Sequence, residues 1–130
     1  MEAKELRIGN WIIDYEAEPE ETIYYQVEEI QRLSNNKALN QTLGVTYRKG
    51  SCWTCDIEPI PLTEEWLLKF GFVLDLDSHR TTYLSKHKIT TYMQDGIFWC
   101  DMLWDCLELK HVHQLQNLYF ALTNEELKLT

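Results

Sequence analysis

Short β-branched and aromatic runs separated by polar turns fill the first sixty residues, and helical spacing appears only after them. Leu6–Ile13 predicts a strand interrupted at Gly9-Asn10, where a turn or bulge fits. Thr22–Ile30, with Ile23, Tyr24, Tyr25 and Val27, predicts a second strand. Between them Asp14, Glu16, Glu18, Pro19, Glu20 and Glu21 form an acidic loop that cannot bury itself. After the turn cluster Ser34-Asn35-Asn36-Lys37, two further strands are expected within 41–48 and 52–57, joined across Lys49-Gly50-Ser51. The first half is thus expected to be a small antiparallel sheet or a partly closed barrel.

Glu58-Pro59-Ile60-Pro61 is a stiff extended hinge, because each proline also restricts the residue before it. A short helix follows. Thr63 is its cap, Glu64 and Glu65 suit the positive end of the dipole, and Leu62 and Leu67 are spaced as a hydrophobic staple. Trp66, Leu67 and Phe70 form its buried stripe, and Gly71 stops it. Phe72–Asp77 alternates towards its end as a half-exposed strand does.

Asp95-Gly96 between 89–94 and 97–101 is the preferred dipeptide of a two-residue type I′ hairpin. That turn sets Met93 opposite Phe98, Thr91 opposite Cys100 and Tyr92 opposite Trp99. Met93, Phe98 and Cys100 then share one face, and Tyr92, Ile97 and Trp99 the other. Both faces are apolar, so each needs a cover, a helix on one side and the N-terminal sheet or a second subunit on the other. The last helix is expected from about Lys110 to Leu122, with Val112, Leu115, Leu118, Tyr119 and Leu122 facing the core. Thr123 and Glu126 match a capping box, with Leu122 and Leu127 as staple, and predict a short final turn. The fold class is α+β: one domain over 1–130, with subdomains 1–58, a β unit, and 59–130, a helix–meander–helix unit.

Composition narrows the setting. Apolar content of 45 %, with five Trp, seven Tyr and four Phe, excludes disorder. No apolar run reaches the about 18 residues a membrane helix needs, and the start lacks a secretory pattern, so a soluble cytoplasmic protein is expected. Net charge is −9, with eleven acidic and six basic residues up to Ile60 and ten and six beyond it. With no basic stripe to neutralise phosphates, direct nucleic-acid binding is disfavoured. The acidic surface suits a basic protein partner. Four cysteines in such a chain point to reduced thiols.

Candidate chemistry is sparse. Cys52-x-x-Cys55 has zinc-knuckle spacing, but Cys100 and Cys106, with His111 and His113 behind them, do not complete a matching pair. No metal and no cofactor is therefore assigned. Asp75-x-Asp77-x-His79 has no further ligand cluster and fits a solvated turn. No phosphate-binding glycine loop, nucleophile elbow or zinc-protease helix is present, so no catalytic residue is assigned. His111 and His113 stand two apart, which on a helix points them in different directions. His113 and Asn117, four apart and with Gln114 nearby, share a face that suits a polar ligand or a packing loop. Trp53, Trp99 and Trp104, with Tyr24, Tyr25 and Tyr92, suit either a contact surface or a small core. The candidate binding residues are His113, Gln114, Asn117, Trp99 and Tyr92.

Taken together, 5–10 (Glu-Leu-Arg-Ile-Gly-Asn), 57–72 (Ile-Glu-Pro-Ile-Pro-Leu-Thr-Glu-Glu-Trp-Leu-Leu-Lys-Phe-Gly-Phe) and 111–127 resemble, in order and spacing, a family of small uncharacterised proteins from Bacteroidetes genomes, their prophages and phages. The resemblance implies a bacterial or phage context and a cytoplasmic location in the host cell, and no activity, cofactor or catalytic residue. The cysteines do not belong to the family pattern. The expectation is a non-enzymatic acidic binding protein of phage or mobile-element origin, acting on a host defence system by blocking a host protein or sequestering a small molecule. The alternatives are a small enzyme using His111 or His113 as acid–base groups, and a structural or assembly protein; a homo-oligomer stays open.

Overall fold

The computed structural model describes residues 6–14, 24–31, 44–47, 50–53, 57–101 and 106–130. They form two compact units, Met1–Ile60 and Pro61–Thr130, and the boundary falls inside the Pro-x-Pro hinge. The architecture is α+β with antiparallel sheets throughout.

In the first unit, β1 (Trp11–Asp14) begins only after a tight turn, so the strand expected from Leu6 is shortened. Gly9 has φ +91°, which glycine adopts without a Cβ penalty. The buried Asn10 accepts the Arg7 N–H through Oδ1 at 2.7 Å. Gly9 N–H donates to Val27 O at 2.7 Å and Val27 N–H to Asn10 O at 2.9 Å, stitching the turn to β2 (Tyr24–Gln31). With β3 (Gly44–Tyr47), β4 (Gly50–Trp53) and β5 (Ile57–Pro59), the sheet order is β4-β3-β2-β1-β5. The first part of the proline hinge is therefore an edge strand paired with β1, where Pro59 leaves no interior ladder bond unmade. The acidic run 16–21 and the turn cluster 34–37 lie outside the described residues.

In the second unit, α1 (Glu64–Lys69) forms where its caps place it. Thr63 Oγ1 accepts the Trp66 N–H at 3.5 Å, Leu62 and Leu67 are both buried, and Gly71 turns the chain at φ +81°. The strands β6 (Val73–Asp75), β7 (Thr81–Leu84), β8 (Thr90–Gln94), β9 (Ile97–Asp101) and β10 (Cys106–Leu109) make a meander in the order β10-β9-β8-β7-β6. The β8–β9 hairpin has the register its turn dictates: Thr91 faces Cys100, Tyr92 faces Trp99 and Met93 faces Phe98. Asp95 and Gly96 both have positive φ, 53° and 77°, as a type I′ turn requires. β7 and β10 were not separately marked by periodicity; four residues are too few to show a clear alternation.

One face of the meander carries Tyr83, Thr91, Phe98, Cys100 and Leu109, all buried. Burial, with the Glu64 carboxylate of α1 adding to it, pushes the Tyr83 hydroxyl pKa up to about 12. The opposite face carries Thr82, Tyr92 and Trp99. Part of its cover comes from the chain's own β6–β7 turn, where Arg80 lies 5.0 Å over the Tyr92 ring and Ser78 bonds Thr82 at 2.9 Å.

The last helix, α2 (Val112–Thr123), starts two residues later than Lys110. Its buried positions are Val112, His113, Leu115, Gln116 and Tyr119, whereas Leu122 is 51 % exposed. The apolar stripe therefore fades before its last turn, and two polar side chains take core positions. No second helix starts at Thr123. Asn124 adopts the left-handed conformation at φ 57°, and Thr123 Oγ1 accepts from Glu125 N–H at 3.1 Å while donating to Tyr119 O at 2.8 Å. The segment that follows runs irregularly to bury Leu127.

Thr91 Oγ1 is enclosed with no hydrogen-bond partner among the described residues. Leaving such a hydroxyl without a partner costs about 1–3 kcal/mol, and valine has nearly the same shape. Thr91→Val is expected to stabilise the protein by about 1 kcal/mol in urea denaturation, with an unchanged m-value.

Candidate functional site

Within the second unit the end of α1, the β7–β8 turn, α2 and the segment 124–130 enclose a hollow of about 490 Å3. Its floor is apolar, with Phe70, Tyr119 and Leu127 buried beneath it. Its rim carries Ser85, Lys86, Glu125 and Lys128. The segment 124–130 is clasped to the α1 terminus, because Thr130 N–H and Oγ1 both donate to Lys69 O, at 2.8 and 3.0 Å. Gly71 permits that approach: a Cβ there would stand 2.9 Å from Thr130 Cγ2.

Charges fix the other side of the rim. Glu125 Oε2 meets Lys86 Nζ at 2.9 Å and His87 Nε2 at 3.0 Å. The hydrogen bond and charge of Lys86, then those of His87, hold the Glu125 carboxyl down at about 2. The His87 ring also lies 5.7 Å from that of Tyr119. Burial raises the Tyr119 pKa, against the opposing pull of Lys86. Ser85 accepts the Ile89 N–H through Oγ at 3.0 Å, which shapes the β7–β8 turn around Lys88 at φ 59°.

The residues singled out by spacing fall in two other places. Tyr92 and Trp99 come together as cross-strand neighbours and line a shallower hollow of about 270 Å3 with Gln94, Asp95, Ile97 and Cys106. Tyr92 is itself buried there, its hydroxyl donating to Cys106 Sγ at 3.3 Å. His113, Gln114 and Asn117 lie on α2 and line neither hollow. Gln114 serves the helix start: its Oε1 accepts the N–H of Lys110 at 2.9 Å and of His111 at 3.1 Å. His113 is 1 % exposed and stacks on His111 at 5.6 Å with rings 13° apart, and Asn117 is half-buried beyond it.

Periodicity assigns Tyr119 to the core stripe alone, and no motif marks Ser85, Lys86 or Glu125. The hollow draws on residues from Phe70 to Thr130, so no local spacing encodes it. The Thr123-x-x-Glu126 pattern, expected to cap a final turn, falls at the bend that turns the last segment back and starts no helix there.

Asp75 Oδ1 accepts the Asp77 N–H at 3.1 Å and closes the β6–β7 turn, while His79 is exposed. Among the described residues no three His, Cys, Asp or Glu side chains converge as a metal site. Cys55, Trp104 and the side chains of Cys52 and Trp53 lie outside them. Cys100 and Cys106 are in no disulfide. Burial, with Asp101 adding to it, pushes the Cys100 thiol up to about 11. Among the described residues no helix is long and apolar enough to cross a membrane.

Two outcomes follow from this geometry. Gln114→Ala removes the acceptor of two N–H groups at the α2 start and is expected to cost about 1 kcal/mol of stability in urea denaturation. Glu125 has a folded pKa of about 2, below the roughly 4.3 of an unfolded glutamate, so its contribution is complete above the unfolded value. It is lost as pH falls through the folded one. The stability gap between the wild type and Glu125→Gln is therefore expected to be widest at neutral pH and to close between about pH 4.3 and 2. No family model, curated protein or solved structure matches this chain.

Proposed function

We propose that this chain is a non-enzymatic acidic binding protein whose second unit holds a small molecule. The observation that carries this is the hollow of about 490 Å3, apolar at its floor and polar at its rim. Small-molecule sites are concave and mostly apolar, of roughly 300–1,000 Å3, with a few polar groups that orient the ligand. Support for binding rather than turnover comes from the imidazoles. His113 is buried, and neither it nor His111 lines the hollow, so neither meets a ligand there as acid or base.

The resemblance supplies the setting. A phage or mobile-element product in the cytoplasm of a bacterial host would use such a hollow to sequester a small signalling molecule of a host defence system. The hollow favours sequestration over blockade of a host protein by the acidic surface.

Native mass spectrometry of protein purified from bacterial cytoplasm tests this. The expected outcome is a retained small molecule, released intact on heating, and its loss in Leu129→Trp, which fills the rim from an exposed position. A chemically altered ligand on release would favour an enzyme. Equal retention by Leu129→Trp would place the ligand elsewhere, and no saturable binding of any compound in a broad fragment screen would overturn the proposal.

A further inference from the structure

The polar groups of the hollow are not evenly divided between donors and acceptors. Tyr119 is 1 % exposed and lines the hollow, yet its hydroxyl makes no hydrogen bond among the described residues. Ser85 is buried, and its Oγ accepts from Ile89 N–H without donating among the described residues. Lys86 Nζ has three protons and, among the described residues, one ion-pair partner, Glu125, and it is close enough to Tyr119 for its charge to act on the hydroxyl. Three residues that carry two hydroxyls and an ammonium thus line one hollow. On the acceptor side Glu125 Oε2 accepts from both Lys86 and His87, and Glu126, which also lines the hollow, is not free either.

We infer that the hollow takes a small organic monocarboxylate with an aromatic or branched apolar body, the body resting on Phe70, Tyr119 and Leu127 and the carboxylate meeting Tyr119, Ser85 and Lys86. This rests on the small-molecule reading above and names the ligand class for the same site. A carboxylate offers acceptor capacity only, and so answers three donors without adding one. Hydrogen bonds to an ionised acceptor are about twice as strong as neutral ones, which favours the carboxylate over its amide. A cation would have to compete with Lys86 and His87 for Glu125. A phosphate dianion would bring two further charges to a lining in which Lys86 and Lys128 are already matched by Glu125 and Glu126, on a chain of net charge −9.

The test titrates the full chain with 2-naphthylacetate, 2-naphthylacetamide, 2-naphthylethylamine and 2-naphthyl phosphate at pH 7, following backbone amide shifts by NMR. Saturable binding of the carboxylate is expected to move signals of residues 70–71, 85–86 and 125–130. The amide, amine and phosphate are expected to bind at least about tenfold more weakly, the loss that one charged hydrogen bond explains. Tyr119→Phe and Lys86→Met are each expected to weaken the carboxylate by about tenfold and to leave the amide nearly unchanged. Tyr119→Phe removes an oxygen with no internal hydrogen bond among the described residues, so its melting temperature is expected to match the wild type.

If the compounds bind the hollow but the carboxylate has no preference, or Tyr119→Phe does not weaken it, the ligand class is wrong and the binding site stands. If the phosphate binds tightest, a phosphorylated ligand replaces the carboxylate. If none of the four moves these signals and a broad fragment screen is also silent, both readings fail.

Discussion

A backbone junction at the start of both helices organises the second unit. Pro61 pairs with His111 in an isolated antiparallel bridge, and Leu62 N–H donates to Lys110 O at 2.9 Å. The chain entering α1 is thereby locked to the chain entering α2, although α1 itself and the whole meander lie between them in sequence. Gln114 completes the lock by accepting the N–H groups of Lys110 and His111. Proline suits this position because it has no N–H to satisfy and its φ is already near that of an extended chain. With both helix starts tied together, the directions of α1 and α2 follow from their caps.

The far ends of the same two helices then define the hollow. At α1 the left-handed Gly71 admits Thr130 against the backbone, and at α2 the left-handed Asn124 turns the chain back towards it. Leu127 seals the floor while Glu125 is held at the rim by Lys86 and His87. Two glycine-type conformations, one of them at an asparagine, thus place a short irregular segment as the wall of a cavity. Apolar burial, the two Thr130 hydrogen bonds to Lys69 O and the Glu125 ion-pair cluster hold that wall, and Tyr119 lines the hollow it encloses.

Sequence patterns carried furthest where the physics was local. Thr63, the Leu62–Leu67 staple and Gly71 placed α1, and Asp95-Gly96 placed a hairpin whose register the structure repeats pair for pair. Each of these depends on backbone geometry within a few residues. Patterns failed where a residue had two compatible roles. Thr123 and Glu126 had the spacing of a capping box, but Asn124 in the left-handed conformation ended α2 and sent the chain to bury Leu127 instead. Leu122 matched the apolar period yet stands exposed, while Gln116, which no hydrophobic count includes, is fully buried. Gln114 was legible in principle as the third residue after a helix start, but only once that start was known to be His111 and not Lys110.

The candidate site divides in the same way. The pairing of Tyr92 with Trp99 was written in the hairpin, because a two-residue turn leaves only one register. The sequence by itself therefore determined the α+β class, the first helix, the hairpin and its facing pairs, all set by interactions between residues close along the chain. Only the tertiary structure decided the rest. It brought Phe70, Ser85, Lys86, Tyr119 and Glu125 around one hollow and directed Gln114 to the helix start. Those placements depend on side chains up to sixty residues apart meeting in space, and no periodicity of a single element records such a meeting.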